Sequence, residues 1–168
     1  QDDCSCLGSP CPAFISEFSY ECKGTDTDEF IEVAVLSTYT GNLLDFEIYL
    51  YNGNGGGIYG NNSYPLSSFM LGSNDGTYKY YYLDFPSGGL QNGNPDGIAL
   101  VYKGVVCEFI SYDGILTATS GPAAGMTSED IGATQSNTYT YCGERIQLII
   151  DPNNNTSTWV NACATPGA

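Results

Sequence analysis

Hydrophobic and polar residues alternate with a period of two over much of this chain. Residues 44–51 are the clearest case, because one face of an extended chain there is wholly apolar while the other carries carboxylates and tyrosines. Such alternation is typical of a β-strand with one buried face. Residues 29–36 are nearly continuously apolar, as in a strand buried on both faces. The pattern predicts eight or nine short strands, at residues 13–22, 29–36, 44–51, 66–71, 77–85, 98–102, 105–112, 145–150 and 157–160.

Loops rich in Gly, Asn and Pro separate these segments, and no amphipathic helix is evident. Lys103-Gly104 predicts a two-residue hairpin turn, and residues 127–130 predict one short helical turn with Thr127 as its cap. Short strands separated by turn signals favour an all-β, antiparallel sandwich or barrel. A length of 168 residues fits one domain with a substantial core.

Charge and composition exclude several function classes. The chain has 4 Lys and Arg against 19 Asp and Glu, a net charge of −15, and no histidine. So few cations argue against nucleic-acid binding, and no apolar run is long enough to span a membrane. Without histidine there is no Ser-His-Asp or Cys-His catalysis and no histidine-ligated metal. We therefore expect a protein that is not an enzyme and has no cofactor.

Seven cysteines point to an oxidising compartment. The closest pair, Cys4 and Cys6, lacks the spacing of a zinc site, so disulfides are expected among the seven, with connectivity left open: Cys4, Cys6, Cys11, Cys22, Cys107, Cys142 and Cys163. Because seven is odd, at least one thiol is unpaired or bonds another chain. Three sequons, at Asn61, Asn154 and Asn155, agree with a secreted glycoprotein, and a chain starting at Gln1 suggests a mature product without its leader.

Several segments, taken together and in order, resemble lamin-tail-domain-like modules of secreted and surface proteins. The segments are residues 14–18, 24–32, 50–53, 94–101, 109–114 and 117–132, then Gln147-Leu148, Trp159 and residues 164–167. The resemblance implies an immunoglobulin-like β-sandwich over residues 13–168, preceded by a Cys-rich tail over residues 1–12. It also implies a binding or scaffolding role rather than catalysis. The chain departs from the family in its added cysteines and in showing no catalytic neighbour, so we expect either a stand-alone module or a module whose partner domain is absent from this chain.

Other side chains suggest ligand sites. Asp26, Asp28 and Glu29 form a carboxylate cluster suited to Ca²⁺, although a solvated acidic loop is the commoner explanation. Residues 92–97 mimic the start of a calcium loop, but the twelfth position is Lys103 rather than Glu, so we reject that interpretation. Six tyrosines could stack on a glycan or a partner protein, with core packing as the simpler alternative: Tyr49, Tyr51, Tyr78, Tyr80, Tyr81 and Tyr82.

These observations favour a non-catalytic extracellular structural subunit. It would self-assemble, including into filaments, through its N-terminal tail and an aromatic strand surface, so its partner is another copy or another extracellular protein. One alternative is a monomeric secreted module that binds carbohydrate or calcium. A second alternative is an accessory module of a secreted hydrolase.

Overall fold

A computed structural model describes residues 11–163 of the chain. It confirms an all-β sandwich made of two sheets. There are eleven strands: β1 (Ala13–Ser19), β2 (Phe30–Leu36), β3 (Phe46–Asn52), β4 (Ile58–Pro65), β5 (Met70–Asn74), β6 (Tyr78–Asp84), β7 (Asp96–Tyr102), β8 (Val105–Tyr112), β9 (Glu129–Asp130), β10 (Glu144–Asp151) and β11 (Thr156–Cys163). Two 3-10 segments, Leu43–Asp45 and Leu66–Ser68, are the helices of residues 11–163, and neither is long or apolar enough to span a membrane.

The six-stranded sheet has the order β11-β10-β1-β2-β6-β5, and the five-stranded sheet has the order β4-β3-β7-β8-β9. Every pair is antiparallel except β8 with β9, so the expectation of a purely antiparallel sandwich is wrong at that edge. The β7–β8 hairpin turns at Lys103 and Gly104 as predicted. Both residues have positive φ, 50° and 79°, which matches the twist of a hairpin.

The core lies between the sheets because each strand turns its alternate apolar residues inward. Strand β2 contributes Ile31, Val33 and Val35, and β3 contributes Ile48 and Leu50. Aromatic rings fill one end of the core, where the ring centroids of Tyr20 and Tyr112 stack 4.1 Å apart and Phe18 contacts both. The period-two pattern therefore places the buried face correctly in these strands.

Two strands are absent from the sequence-based prediction. Strand β4 contains Gly60 and Pro65 and shows a register shift against β3. These are features of an edge strand, where an unpaired backbone tolerates Pro and Gly.

Strand β9 occupies Glu129–Asp130, where we predicted a helical turn. That prediction is wrong, because Ile131 donates its backbone N–H to the Ser111 carbonyl and draws the segment alongside β8. Likewise residues 66–68, predicted as strand, form a 3-10 turn.

Two disulfides close long loops. Cys11–Cys107 joins the segment before β1 to β8, and Cys22–Cys142 joins the segment after β1 to the turn before β10, over separations of 96 and 120 residues. In the chain-entropy model a bridge across about 100 residues contributes about 4–5 kcal/mol to stability. Cys163 is exposed and forms no disulfide among residues 11–163, whereas Cys4 and Cys6 lie outside the described residues. Intramolecular disulfides indicate an oxidising environment.

The junction between β1 and β10 is short, and one buried side chain, Gln135, reinforces it. Only two residue pairs, Glu17 with Gln147 and Phe18 with Ile146, join these strands in the described ladder. The Gln135 side-chain oxygen accepts the backbone N–H groups of Tyr20 at 2.7 Å and Glu21 at 3.1 Å. Its amide nitrogen donates to the Glu144 carbonyl at 3.2 Å. Gln135 thus links the end of β1 to the start of β10.

We expect Gln135→Ala to lower the free energy of unfolding by about 2–4 kcal/mol, because it leaves buried backbone groups without partners. Urea denaturation followed by tryptophan fluorescence measures the change, since Trp159 on β11 packs against Phe18 of β1 at 5.7 Å. Gln91→Ala is the matched control, because the hydrogen bonds of Gln91 to described residues use its backbone. Equal stability of the two variants would contradict the assignment.

Candidate functional site

The outer face of the six-stranded sheet carries a strip of aromatic side chains. Tyr81 lies opposite Val33 in the β2–β6 register and packs against the core, so Tyr78, Tyr80 and Tyr82 face outward. All three are half-buried. The Tyr78 ring meets the Phe14 ring of β1 edge-on, with centroids 5.1 Å apart. We call Phe14, Tyr78, Tyr80 and Tyr82 the aromatic strip.

The other tyrosines singled out from the sequence do not join this strip. Tyr51 is completely buried, and its hydroxyl accepts the Ala123 backbone N–H at 3.2 Å. Tyr49 lies half-buried on β3 of the other sheet, where its hydroxyl donates to Glu47 at 3.3 Å. Periodicity separates alternate residues of one strand, but it does not show which of the two faces is covered.

Beside the aromatic strip lies a buried group of charged side chains that sequence analysis missed. Glu17 of β1 stands directly opposite Glu32 of β2 and Gln147 of β10 in the ladder. The Ser16 hydroxyl donates to Glu32 at 2.7 Å. Arg145 lies two residues before Gln147 on β10, and its guanidinium sits 4.7 Å from the centre of the Phe30 ring. Glu17 is 4% exposed and Arg145 is 8% exposed.

Burial changes the proton affinity of this group. Burial raises the pKa of Glu17 to about 7, and the negative charge of Glu32 adds to the effect, while Gln147 and Arg145 oppose it in part. Burial also raises the pKa of Glu108 to about 7 on the other sheet. The Glu108 carboxylate accepts the Ile15 backbone N–H at 2.8 Å, where a bulge interrupts the β1–β2 ladder. Both glutamates therefore favour the protonated form in the native state more than ordinary glutamates do.

Strand β11 is a second candidate surface, because it is the outermost strand of the six-stranded sheet. Its eight residues pair with β10 without a register shift, and they include no Pro, Gly or charged residue. Proteins normally block exposed edges with Pro, charges, bulges or short length. The other described edges have such features: β4 has Pro65 and a shifted register, β5 also shifts, and β9 has two residues. Cys163 lies exposed at the end of β11.

The three calcium candidates do not converge. The buried Glu29 carboxylate accepts the backbone N–H groups of Gly88 and, at 2.7 Å, Leu90. Asp26 accepts the Cys22 backbone N–H at 3.1 Å, and Asp28 is exposed with a φ of 61°. Within residues 11–163 no group of three or more His, Cys, Asp or Glu side chains is arranged to hold a metal ion. Glu29 instead fixes the loop that follows β6.

All three sequon asparagines are accessible. Asn154 and Asn155 are exposed in the β10–β11 turn, where Asn154 accepts the Thr156 backbone N–H at 3.1 Å. We expected Asn61 to lie in a loop rich in Gly and Asn. That expectation is wrong, because Asn61 is exposed on β4. The segment around it reads as a loop because Gly and Asn are poor strand formers.

Comparisons of the chain with protein-family models, with curated proteins and with solved structures find no match. The resemblance to lamin-tail-domain-like modules therefore stays a prediction, and so do the immunoglobulin-like details of the sandwich. Inferences about function rest on the surfaces described above.

We expect the free energy of unfolding to fall as pH rises from about 4.5 to about 7. In this range the unfolded chain releases protons that native Glu17 and Glu108 retain, so the native state binds more protons and loses relative stability with rising pH. Urea denaturation across this range, compared between wild type and Glu17→Gln, measures the effect. The variant should be more stable than wild type at neutral pH by about 1–3 kcal/mol and show a smaller slope.

Glu47→Gln is the control for this measurement, because Glu47 lies on the outer side of β3 between residues that face the core. It should keep the wild-type slope. A Glu17→Gln slope equal to that of wild type would show that Glu17 is ionised in the native state at pH 5 to 6.

Proposed function

We propose that this protein is a non-catalytic, extracellular structural subunit that assembles with copies of itself through the edge of β11. The observation that carries the proposal is the long, regular and uncharged edge that β11 presents. Such an edge offers a row of backbone N–H and carbonyl groups to another strand. The aromatic strip is not needed for this contact, since it lies on the face of the sheet.

The distribution of charge supports the β11 edge as the contact between copies. Copies with a net charge of −15 repel one another, and the repulsion is smallest where a surface has no carboxylates. Strand β11 meets this condition over all eight residues. Trp159 anchors the strand by packing against Phe18, so the edge is held in an extended form before a partner binds.

We propose the N-terminal segment of the next copy as the pairing strand. Cys11 is bonded to Cys107 of its own chain, and the ten residues before it span up to about 35 Å when extended, which exceeds the roughly 27 Å length of an eight-residue strand. The two intramolecular disulfides leave Cys4, Cys6 and Cys163 of the seven cysteines. A bridge from Cys4 or Cys6 to Cys163 of a neighbour would lock the contact, and repetition of this head-to-tail contact gives a filament.

We expect wild-type protein, oxidised and examined over a wide concentration range, to form species larger than a monomer in light scattering. High NaCl should favour these species, because it screens the repulsion between copies. Thr158→Lys should abolish assembly, because it places a charged side chain on the β11 side of every contact. Ser67→Lys, which adds the same charge at an exposed position away from β11, is the control.

The proposed disulfide between neighbouring copies is tested by mass spectrometry of cross-linked peptides. Wild-type protein and heavy-isotope-labelled protein are mixed when reduced, oxidised together and digested without reduction. Cross-linked peptides that join Cys163 of one isotope to Cys4 or Cys6 of the other support the proposal. A monomer at all concentrations, or Cys163 bonded only within its own chain, would overturn it.

A further inference from the structure

A cavity of about 610 Å³ opens on the outer face of the six-stranded sheet, next to the aromatic strip. This volume is in the usual range for small-molecule sites. It lies where β2, β6 and the segment before β2 face Arg145 of β10. Its lining includes three aromatic rings, four carboxylates and one guanidinium, among them Phe30, Tyr82, Asp28, Glu32, Asp84 and Arg145.

Arg145 brings an unsatisfied donor to this cavity. One of its terminal nitrogens donates to the Glu144 carbonyl at 3.1 Å, whereas its Nε is buried and has no hydrogen-bond partner among residues 11–163. Buried donors in native proteins nearly always have a partner. Because Nε is covered in this conformation, the Arg145 side chain has to shift toward the cavity before a ligand oxygen can accept a hydrogen bond from Nε and remove this deficit.

The carboxylates of the lining determine which charge a ligand of this cavity can have. Asp84 stands opposite Phe30 in the β2–β6 ladder, and Glu32 stands opposite Tyr82. Asp28 and Asp84 are exposed, and ionised carboxylates only accept hydrogen bonds. An anionic ligand would be repelled by them. A cationic ligand would be attracted overall, because the carboxylates outnumber Arg145, but it could not accept a hydrogen bond from the Arg145 Nε.

We propose that this cavity binds a neutral saccharide. A hydroxyl group both donates and accepts, so neighbouring hydroxyls of one sugar can donate to Asp84 and accept from Arg145. The apolar face of a sugar ring can pack on the Tyr82 ring, which is half-buried and therefore has a side open to solvent. This site is separate from the β11 edge and does not depend on the assembly proposed above.

The test is an array of immobilised neutral and acidic oligosaccharides probed with the full chain, followed by titration calorimetry with a soluble tetrasaccharide of the bound class. We expect binding of a neutral class. Asp84→Asn and Tyr82→Ala should each weaken it by about tenfold or more, because they remove a charged acceptor and a packing surface. Tyr78→Ala is the control for Tyr82→Ala, because Tyr78 belongs to the same strand and face but does not line the cavity.

Spermidine and inorganic sulfate serve as the cationic and anionic probes. Spermidine binding that Asp84→Asn weakens, or sulfate binding, in either case without saccharide binding, would overturn the assignment of ligand class. Saccharide binding that Asp84→Asn and Tyr82→Ala leave unchanged would overturn the location. Absence of binding to every oligosaccharide would overturn the proposal, and Thr158→Lys should bind as wild type does, since it alters only the β11 edge.

Discussion

The attachment of the β10–β11 hairpin to β1 is the constraint on which both candidate surfaces depend. Two residue pairs form the ladder there, and Gln135, the Cys22–Cys142 disulfide and the packing of Trp159 on Phe18 add to the attachment. Arg145 reaches the cavity because β10 lies beside β1, and β11 forms an open edge because it is the outermost strand on the same side. Loss of this junction would remove the cavity and the assembly edge together, although they lie at different places on the sheet.

The second constraint is the scarcity of cations. With 4 Lys and Arg against 19 acidic residues, most carboxylates have no cationic partner, and the described chain contains one ion pair, Lys103 with Asp45 at 3.7 Å. Several buried carboxylates instead accept hydrogen bonds from backbone N–H groups. Glu29 holds the loop after β6, Asp96 accepts from Gly53 at 3.1 Å and from Gly93 at 2.7 Å, and Glu108 caps the bulge in β1. Acidic side chains therefore help to hold these loops in place by accepting hydrogen bonds from their backbone N–H groups.

Assembly at the β11 edge and saccharide binding in the cavity can occur on the same copy, and assembly would strengthen the binding of a polymeric glycan. Assembly at the β11 edge leaves the outer face of the sheet open, so each copy in a filament would present its own cavity. A row of weak saccharide sites binds a polymeric glycan more tightly than a single site does, because later contacts form at high effective concentration. A structural subunit of this kind would attach an assembled fibre to a glycan-bearing surface without any catalytic step.

The sequence alone determined the fold class, because the period-two pattern is local and survives in strands such as β2, β3 and β8. It also predicted an oxidising environment, excluded histidine chemistry and separated Tyr78, Tyr80 and Tyr82 from Tyr81 on the two faces of β6. Tertiary structure decided the rest. Cys11 pairs with Cys107, Cys22 pairs with Cys142, and Arg145 meets Glu17 and Phe30, all across separations of about a hundred residues. In addition, β9 runs parallel to β8. Strand pairing sets such meetings, and a single sequence carries no local signal of which strands become neighbours.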